Sequence, residues 1–93
     1  MKVRNNVDLN RFELDIDGHL AVANYSKLGN VITFTHTEVP PELAGKGVGS
    51  ALAQGALEIV RVQKLEVVAQ CPFISSFISK HPEFSDLLLA KHS

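Results

Sequence analysis

Apolar and polar positions alternate in the first third of the chain. Between residues 12 and 16, Phe, Leu and Ile alternate with acidic side chains, a period of two that predicts a strand with one buried face. Asp17-Gly18 suits a tight hairpin turn, whose two central residues need positive φ, so a return strand is expected over residues 19–27. A second turn at Gly29-Asn30 precedes a run from Val31 to Glu38 that is rich in β-branched and aromatic residues. That composition predicts a third antiparallel strand.

The pattern changes after Pro40-Pro41, because proline donates no ladder hydrogen bond and ends the strand. A helical period follows, with Val48, Leu52, Ala56 and Ile59 on one stripe.

The valine-rich run from Leu65 to Cys71 is typical of a strand, and a strand-helix-strand order favours a crossover to a parallel neighbour. Pro72 fits the first turn of a second helix that ends at Pro82, and a last helical turn is expected from about Glu83 to Ala90. The sequence thus predicts an α/β (α+β) fold. Its mixed four-stranded sheet is an antiparallel meander plus one parallel strand, with a crossover helix and a short C-terminal helix pair.

Length, composition and net charge exclude several classes of protein. The chain has 93 residues, of which 45% are hydrophobic and 20% charged, so we expect one globular domain over residues 1–93. A net charge of −1 supplies no positive field for nucleic acid. The longest uncharged run, residues 67–79, is too short to span a bilayer. Cys71 is the single cysteine, and no secretion signal opens the chain, so a cytoplasmic location is expected. No metal site is expected.

The informative segment is the glycine-rich turn that leads into the first predicted helix. Gly45, Gly47 and Gly49 alternate there with other residues, and glycine lets a backbone approach a ligand closely. The first amides of a helix have no internal partner and carry the positive end of its dipole, so this turn favours a phosphate group. A P-loop would need Ser or Thr after Lys46, and a Rossmann fingerprint would need a third glycine at Ser50. Both of those interpretations fail.

The turn resembles the pyrophosphate loop of the GNAT superfamily of N-acetyltransferases, Gln/Arg-x-x-Gly-x-Gly/Ala. Gly47 and Gly49 occupy its two glycine positions, and Ala44 departs from its Gln/Arg position. The runs from Phe34 to Val39 and from Ser79 to Phe84 are similar to those of a minimal GNAT-like subgroup that lacks the N-terminal helices of larger members. The resemblance covers almost the whole chain.

This resemblance implies a site for acetyl-CoA. The third strand and the strand ending at Cys71 should separate at their carboxyl ends, with the pantetheine arm in the gap. The backbone of Val39 would hold that arm, the loop would wrap the pyrophosphate, and the helix after Cys71 would flank the cofactor. Lys46 is either a phosphate contact or a solvated charge. The implied cofactor-binding residues are Val39, Gly45, Lys46, Gly47, Val48, Gly49, Ser50 and Phe73.

Three residues are candidates for catalysis. Cys71 precedes a proline-started helix, whose dipole favours a thiolate, but it is equally typical of a buried strand-end cysteine. In a regular strand His36 and Glu38 share a face with Phe34. Either of them could take a proton from an incoming amine, or they could simply be hydrogen-bonded neighbours.

The expected function is acetyl transfer from acetyl-CoA to an unidentified amine, directly or through a Cys71 thioester. The acceptor would be a small molecule such as a polyamine or a protein side chain, and the protein a monomer or weak homodimer. The alternatives are a non-catalytic CoA-binding module and a protein-interaction module.

Overall fold

The computed structural model of the protein describes residues 2–89. One mixed sheet of five strands in sequence order forms its centre. The first four strands are antiparallel neighbours, and the fifth is parallel to the fourth. The strands are β1 (Arg4–Asn6), β2 (Arg11–Ile16), β3 (His19–Leu28), β4 (Val31–Glu38) and β5 (Glu66–Ala69), and the α-helices are α1 (Val48–Val62) and α2 (Pro72–Lys80). This architecture confirms the predicted fold class.

The expected count of four strands is wrong, because β1 adds a fifth. β1 consists of Arg4, Asn5 and Asn6 and pairs with the first half of β2. Its three polar residues show no alternation, so no pattern in the sequence indicates a strand there.

The last predicted helical turn is a 3₁₀ helix, Pro82–Leu87. Ala90, the expected end of that turn, lies outside the described residues. Arg61 of α1 holds this helix through a bidentate pair with Asp86, with both N–O distances 2.9 Å, and a bond to the Glu83 carbonyl.

Both α-helices pack on the same face of the sheet, which we call the inner face. Apolar residues of β2, β3 and β4 meet the apolar sides of α1 and α2 there in one continuous core. The fully buried members include Phe12, Leu14, Ala23, Phe34, Leu52, Leu57 and Ile74. Within residues 2–89 no helix is long and apolar enough to cross a membrane.

A β-bulge interrupts β4 near its end. Phe34 pairs with Tyr25 and His36 pairs with Asn24, which leaves Thr35 without a partner. Because side chains alternate between faces, one extra residue reverses the alternation beyond it. Ahead of the bulge Phe34 faces the core, and beyond it Thr37 does.

β4 and β5 separate at their carboxyl ends. Their last pair is Phe34 with Ala69, and the amides of Gln70 and Cys71 both donate to the Phe34 carbonyl, at 3.1 and 2.9 Å. Beyond this point β4 continues to Glu38 while the other chain segment turns into α2. The gap expected between the two strands is therefore present.

Candidate cofactor site

The loop before α1 is held in a conformation that requires glycine. Gly45 has φ of 78° and Gly47, the N-cap of α1, has φ of 72°, values in the left-handed region that side chains disfavour. No heavy atom lies within 4 Å of a Cβ built at either position. Both glycines are therefore explained by backbone conformation rather than by crowding.

The first turn of α1 presents free amides. The helical ladder begins with the bond from the Ala51 amide to the Gly47 carbonyl, 3.0 Å long, and no side chain caps the helix. Within residues 2–89, no protein acceptor takes the N–H groups of Val48, Gly49 and Ser50. Three unpaired donors at the positive end of a helix dipole suit an anion such as phosphate.

A cavity of about 340 Å³ opens at these amides. Seven of the eight predicted cofactor-binding residues line it, together with Leu43 and Ala44; the seven are Val39, Gly45, Gly47, Val48, Gly49, Ser50 and Phe73. Lys46 is not among the lining residues, and its amide donates to the Leu43 carbonyl at 3.3 Å. The residues present therefore fit a pyrophosphate, held through backbone amides.

A larger cavity, about 530 Å³, lies between the N-terminal segment and α1, where it is lined by residues such as Val3, Gly55 and Val62. Among its lining residues in the described range 2–89, none belongs to a helix N-cap. For an anionic ligand, hydrogen-bond donors that point into a cavity matter more than the volume of the cavity. The smaller cavity is therefore the better candidate for the phosphate site.

Cys71 is the N-cap of α2, immediately ahead of its first residue. Its side chain is almost fully buried, and its Sγ is 3.3 Å from Oγ1 of Thr37. Thr37 precedes the cavity-lining Val39 by two residues, and Cys71 precedes Phe73 by two. The Thr37–Cys71 pair thus occupies the inner face where β4 and β5 separate. The sequence does not reveal the position of Thr37, because the bulge that turns it inward leaves no signal in a run of β-branched residues.

His36 and Glu38 lie on the opposite, outer face. The expectation that they share a face with Phe34 is wrong, because the bulge at Thr35 reverses the alternation. Their side chains are 61% and 66% exposed, and His36 Nε2 is 3.0 Å from a Glu38 carboxylate oxygen. Neither residue lines the cavity. The structure therefore brings the two together as a pair but does not bring them to Cys71 on the inner face.

Tyr25 is buried in the core. Its hydroxyl donates to Asn5 Oδ1 at 2.6 Å, and burial raises the pKa of this phenol. The bond ties β1 to β3 across β2, which is a structural role.

A mixed sheet whose parallel strands part beside a glycine loop and an uncapped helix is the arrangement of the N-acetyltransferase fold. The chain belongs to the GCN5-related N-acetyltransferase family, whose model matches residues 11–87. It is also similar to a GCN5-like candidate N-acetyltransferase from Staphylococcus aureus, solved by NMR. That similarity has a TM-score of 0.71 and 29% identity, and it covers 98% of this chain and 91% of the other.

The chain is also similar to two curated proteins. Protein NATD1 of Bos taurus is 33% identical over 63 residues, which cover 67% of this chain and 56% of the cattle protein. Protein NATD1 of Danio rerio is 26% identical over 94 residues, covering 96% of this chain and 86% of that protein. The match to the cattle protein thus spans little more than half of that protein's length.

Proposed function

We propose that this protein is an N-acetyltransferase that uses acetyl-CoA, which supplies an acetyl group activated as a thioester. The observation that carries the proposal is the set of three unpaired amides, those of Val48, Gly49 and Ser50, opening into a cavity beside a glycine loop. These amides would hold the pyrophosphate. The backbone of Val39, which has no backbone partner within residues 2–89, would hold the pantetheine arm.

The loop lacks the Gln/Arg side chain of the family pattern at Ala44. Hydrogen bonds to a charged group contribute roughly 1.5–3 kcal/mol each, so three amides can hold a pyrophosphate without that side chain. Lys46 would add a screened charge at most, because its side chain does not line the cavity.

We further infer that the acetyl group does not pass through Cys71. The thiol is 3% exposed and already engaged with Thr37, so a covalent role would require its surroundings to open. Thr37 and Cys71 would then form the inner wall of the gap between the strands. The acceptor amine would take the acetyl group directly from the thioester, with the thiol of CoA as the leaving group.

Calorimetry with CoA and acetyl-CoA, followed by mass spectrometry of a broad amine panel, tests this function. We expect both cofactors to bind and at least one amine, small or on a peptide, to gain an acetyl group. No heat and no thermal shift at millimolar CoA would overturn the assignment.

A second candidate function is a CoA-binding module without turnover. It is favoured by the position of His36 and Glu38, because neither potential base lines the cofactor cavity. Binding of CoA with no acetylated product across the whole panel would select this candidate. Acetyl transfer that survives in both Glu38→Gln and His36→Asn would instead show that the reaction needs neither side chain.

A further inference from the structure

Phe73 is the one large apolar residue of α2 that does not join the core. Ile74, Phe77 and Ile78 of the same helix are buried, whereas Phe73 is 40% exposed. Its ring reaches instead toward the first turn of α1 and lines the cavity with Val39 and the glycine loop. An aromatic ring left at a cavity wall is available to a ligand.

The ring rests on Gly49. A Cβ built at Gly49 would lie 2.9 Å from Cζ of Phe73 and 3.5 and 3.6 Å from its Cε atoms, so a side chain at position 49 would displace the ring. Gly49 differs in this from Gly45 and Gly47, which have positive φ and open space around them. Gly49 has ordinary helical geometry, in which alanine is the better residue. A side chain at position 49 would therefore meet the Phe73 ring rather than strain the backbone.

We propose that Phe73 determines specificity for the pantetheine arm of the cofactor, and that the absence of a side chain at Gly49 leaves the space in which its ring packs. Val39 directly follows β4 and Phe73 lies in α2, so they belong to the two chain segments that separate at the gap, and both line the cavity. A ligand held by the loop and reaching the gap has to pass between these two walls. The methyl and methylene groups of the pantetheine arm bury surface against the ring, whereas a nucleotide that lacks the arm does not. This inference rests on the proposed function and names the residue that selects CoA over other nucleotides.

The first test compares two ligands by calorimetry, CoA and ADP, which shares the pyrophosphate but has no pantetheine. Phe73→Ala is expected to weaken CoA binding about tenfold, equivalent to about 1.4 kcal/mol, and to leave ADP binding unchanged. Phe73→Leu should lose less. Leu28→Ala, at an exposed apolar residue on the β3–β4 hairpin, is the matched control and should change neither affinity.

The outcomes separate this inference from the proposed function. If the parent binds CoA and Phe73→Ala binds it within twofold of the parent, Phe73 has no such role, and the proposed function stands. An equal loss for CoA and ADP would also overturn the inference, because the ring would then act on the loop rather than on the arm. If the parent binds neither ligand, both proposals fall.

The second test uses Gly49→Ala in two backgrounds. In the parent, the new Cβ meets the ring, so we expect a lower thermal midpoint and weaker CoA binding. In Phe73→Ala the obstruction is gone, and the helix-favouring alanine should raise the midpoint. A lower midpoint in the parent and a higher midpoint in Phe73→Ala would show that Gly49 makes room for the ring rather than for the phosphate. If Gly49→Ala weakens CoA binding equally in both backgrounds, Gly49 serves the phosphate directly.

Discussion

Gly47 and Gly29 both adopt the left-handed backbone conformation, but they lie at different places in the fold. Gly47 has φ of 72° and Gly29 has φ of 58°, and a Cβ at either would meet no atom within 4 Å. Alanine at either position should cost about 1–2 kcal/mol of stability, because it must adopt the left-handed conformation. Of the two glycines, only Gly47 lines the cavity at the first turn of α1. Gly47→Ala should therefore also weaken CoA binding, by roughly tenfold or about 1.4 kcal/mol.

Thermal denaturation and calorimetry on both variants check this prediction. Gly29→Ala is the control, with a similar loss of stability and the parent's affinity for CoA. Equal CoA affinity in the two variants would show that the loop conformation does not govern binding.

Cys71 is the second residue whose role a substitution can settle. Because its thiol is buried against Thr37, we expect Cys71→Ala to lose about 1–2 kcal/mol of stability and to keep its transfer rate at equal cofactor saturation. Cys71→Ser can keep a hydrogen bond to Thr37 and should also transfer normally. Intact-mass measurement after incubation with acetyl-CoA should show no adduct on the parent protein. An acetyl adduct on Cys71, together with loss of transfer in both variants, would establish a covalent route instead.

The glycines of the loop could be identified from the sequence, whereas the strand faces of His36 and Glu38 could not. The glycines before α1 were identified because their requirement, positive φ or close approach, depends on residue type alone. The faces of His36, Thr37 and Glu38 depend on the bulge at Thr35, where one unpaired residue reverses the alternation. A bulge results from how β3 and β4 pair, which the pattern of one strand does not record.

Close approach between elements explains a glycine in the middle of α1. Gly55 faces the N-terminal segment, and a Cβ built there would overlap the Val3 side chain, lying 2.7 Å from Val3 Cβ and closer still to Cγ2. Alanine would gain about 1 kcal/mol of helix propensity over glycine, but overpacking costs typically about 1–3 kcal/mol. Gly55→Ala should therefore be destabilising or neutral overall, and it should loosen β1 from α1.

Hydrogen exchange at the β1 amides and thermal denaturation measure these two effects. Adding Val3→Ala removes the obstruction, so the double variant should be more stable than Val3→Ala alone. If Gly55→Ala destabilises the protein equally in the parent and in the Val3→Ala background, the N-terminal segment is not what requires this glycine.

At the scale of the whole molecule, most of the sheet could be predicted because its strands are marked by alternation and by turn residues. The β2–β3 hairpin, β4, α1 and β5 lie close to their expected positions. β1 was missed because its stability comes from pairing and from long-range side-chain bonds, such as that from Tyr25 to Asn5. These contacts join residues far apart in the sequence and have no local signature.

The same strand is held by a buried carboxylate. Glu13 is 2% exposed and accepts hydrogen bonds from Arg11, Asn6 and Arg4 at 2.7–3.0 Å. The bond from Arg11 is the main reason that the pKa of this carboxyl lies below its ordinary value of 4.5, despite burial that acts to raise it. Because this buried carboxylate accepts charge-assisted hydrogen bonds from two arginines, we expect it to contribute about 1–2 kcal/mol at neutral pH.

The sign of the pH dependence follows from that lowered pKa. A group whose pKa falls on folding stabilises the folded state fully above its unfolded pKa, and the contribution is lost as the pH falls through the folded value. The parent should therefore lose stability below about pH 4.5, with release of β1. Glu13→Gln should be less stable than the parent at pH 7, and the difference should shrink steadily on acidification. Denaturation curves from about pH 7 to about pH 3 measure it, with Glu66→Gln, an exposed carboxyl on β5, as a control that should follow the parent. A difference between parent and Glu13→Gln that stays constant across this range would mean that the ionised carboxylate does not hold the strand.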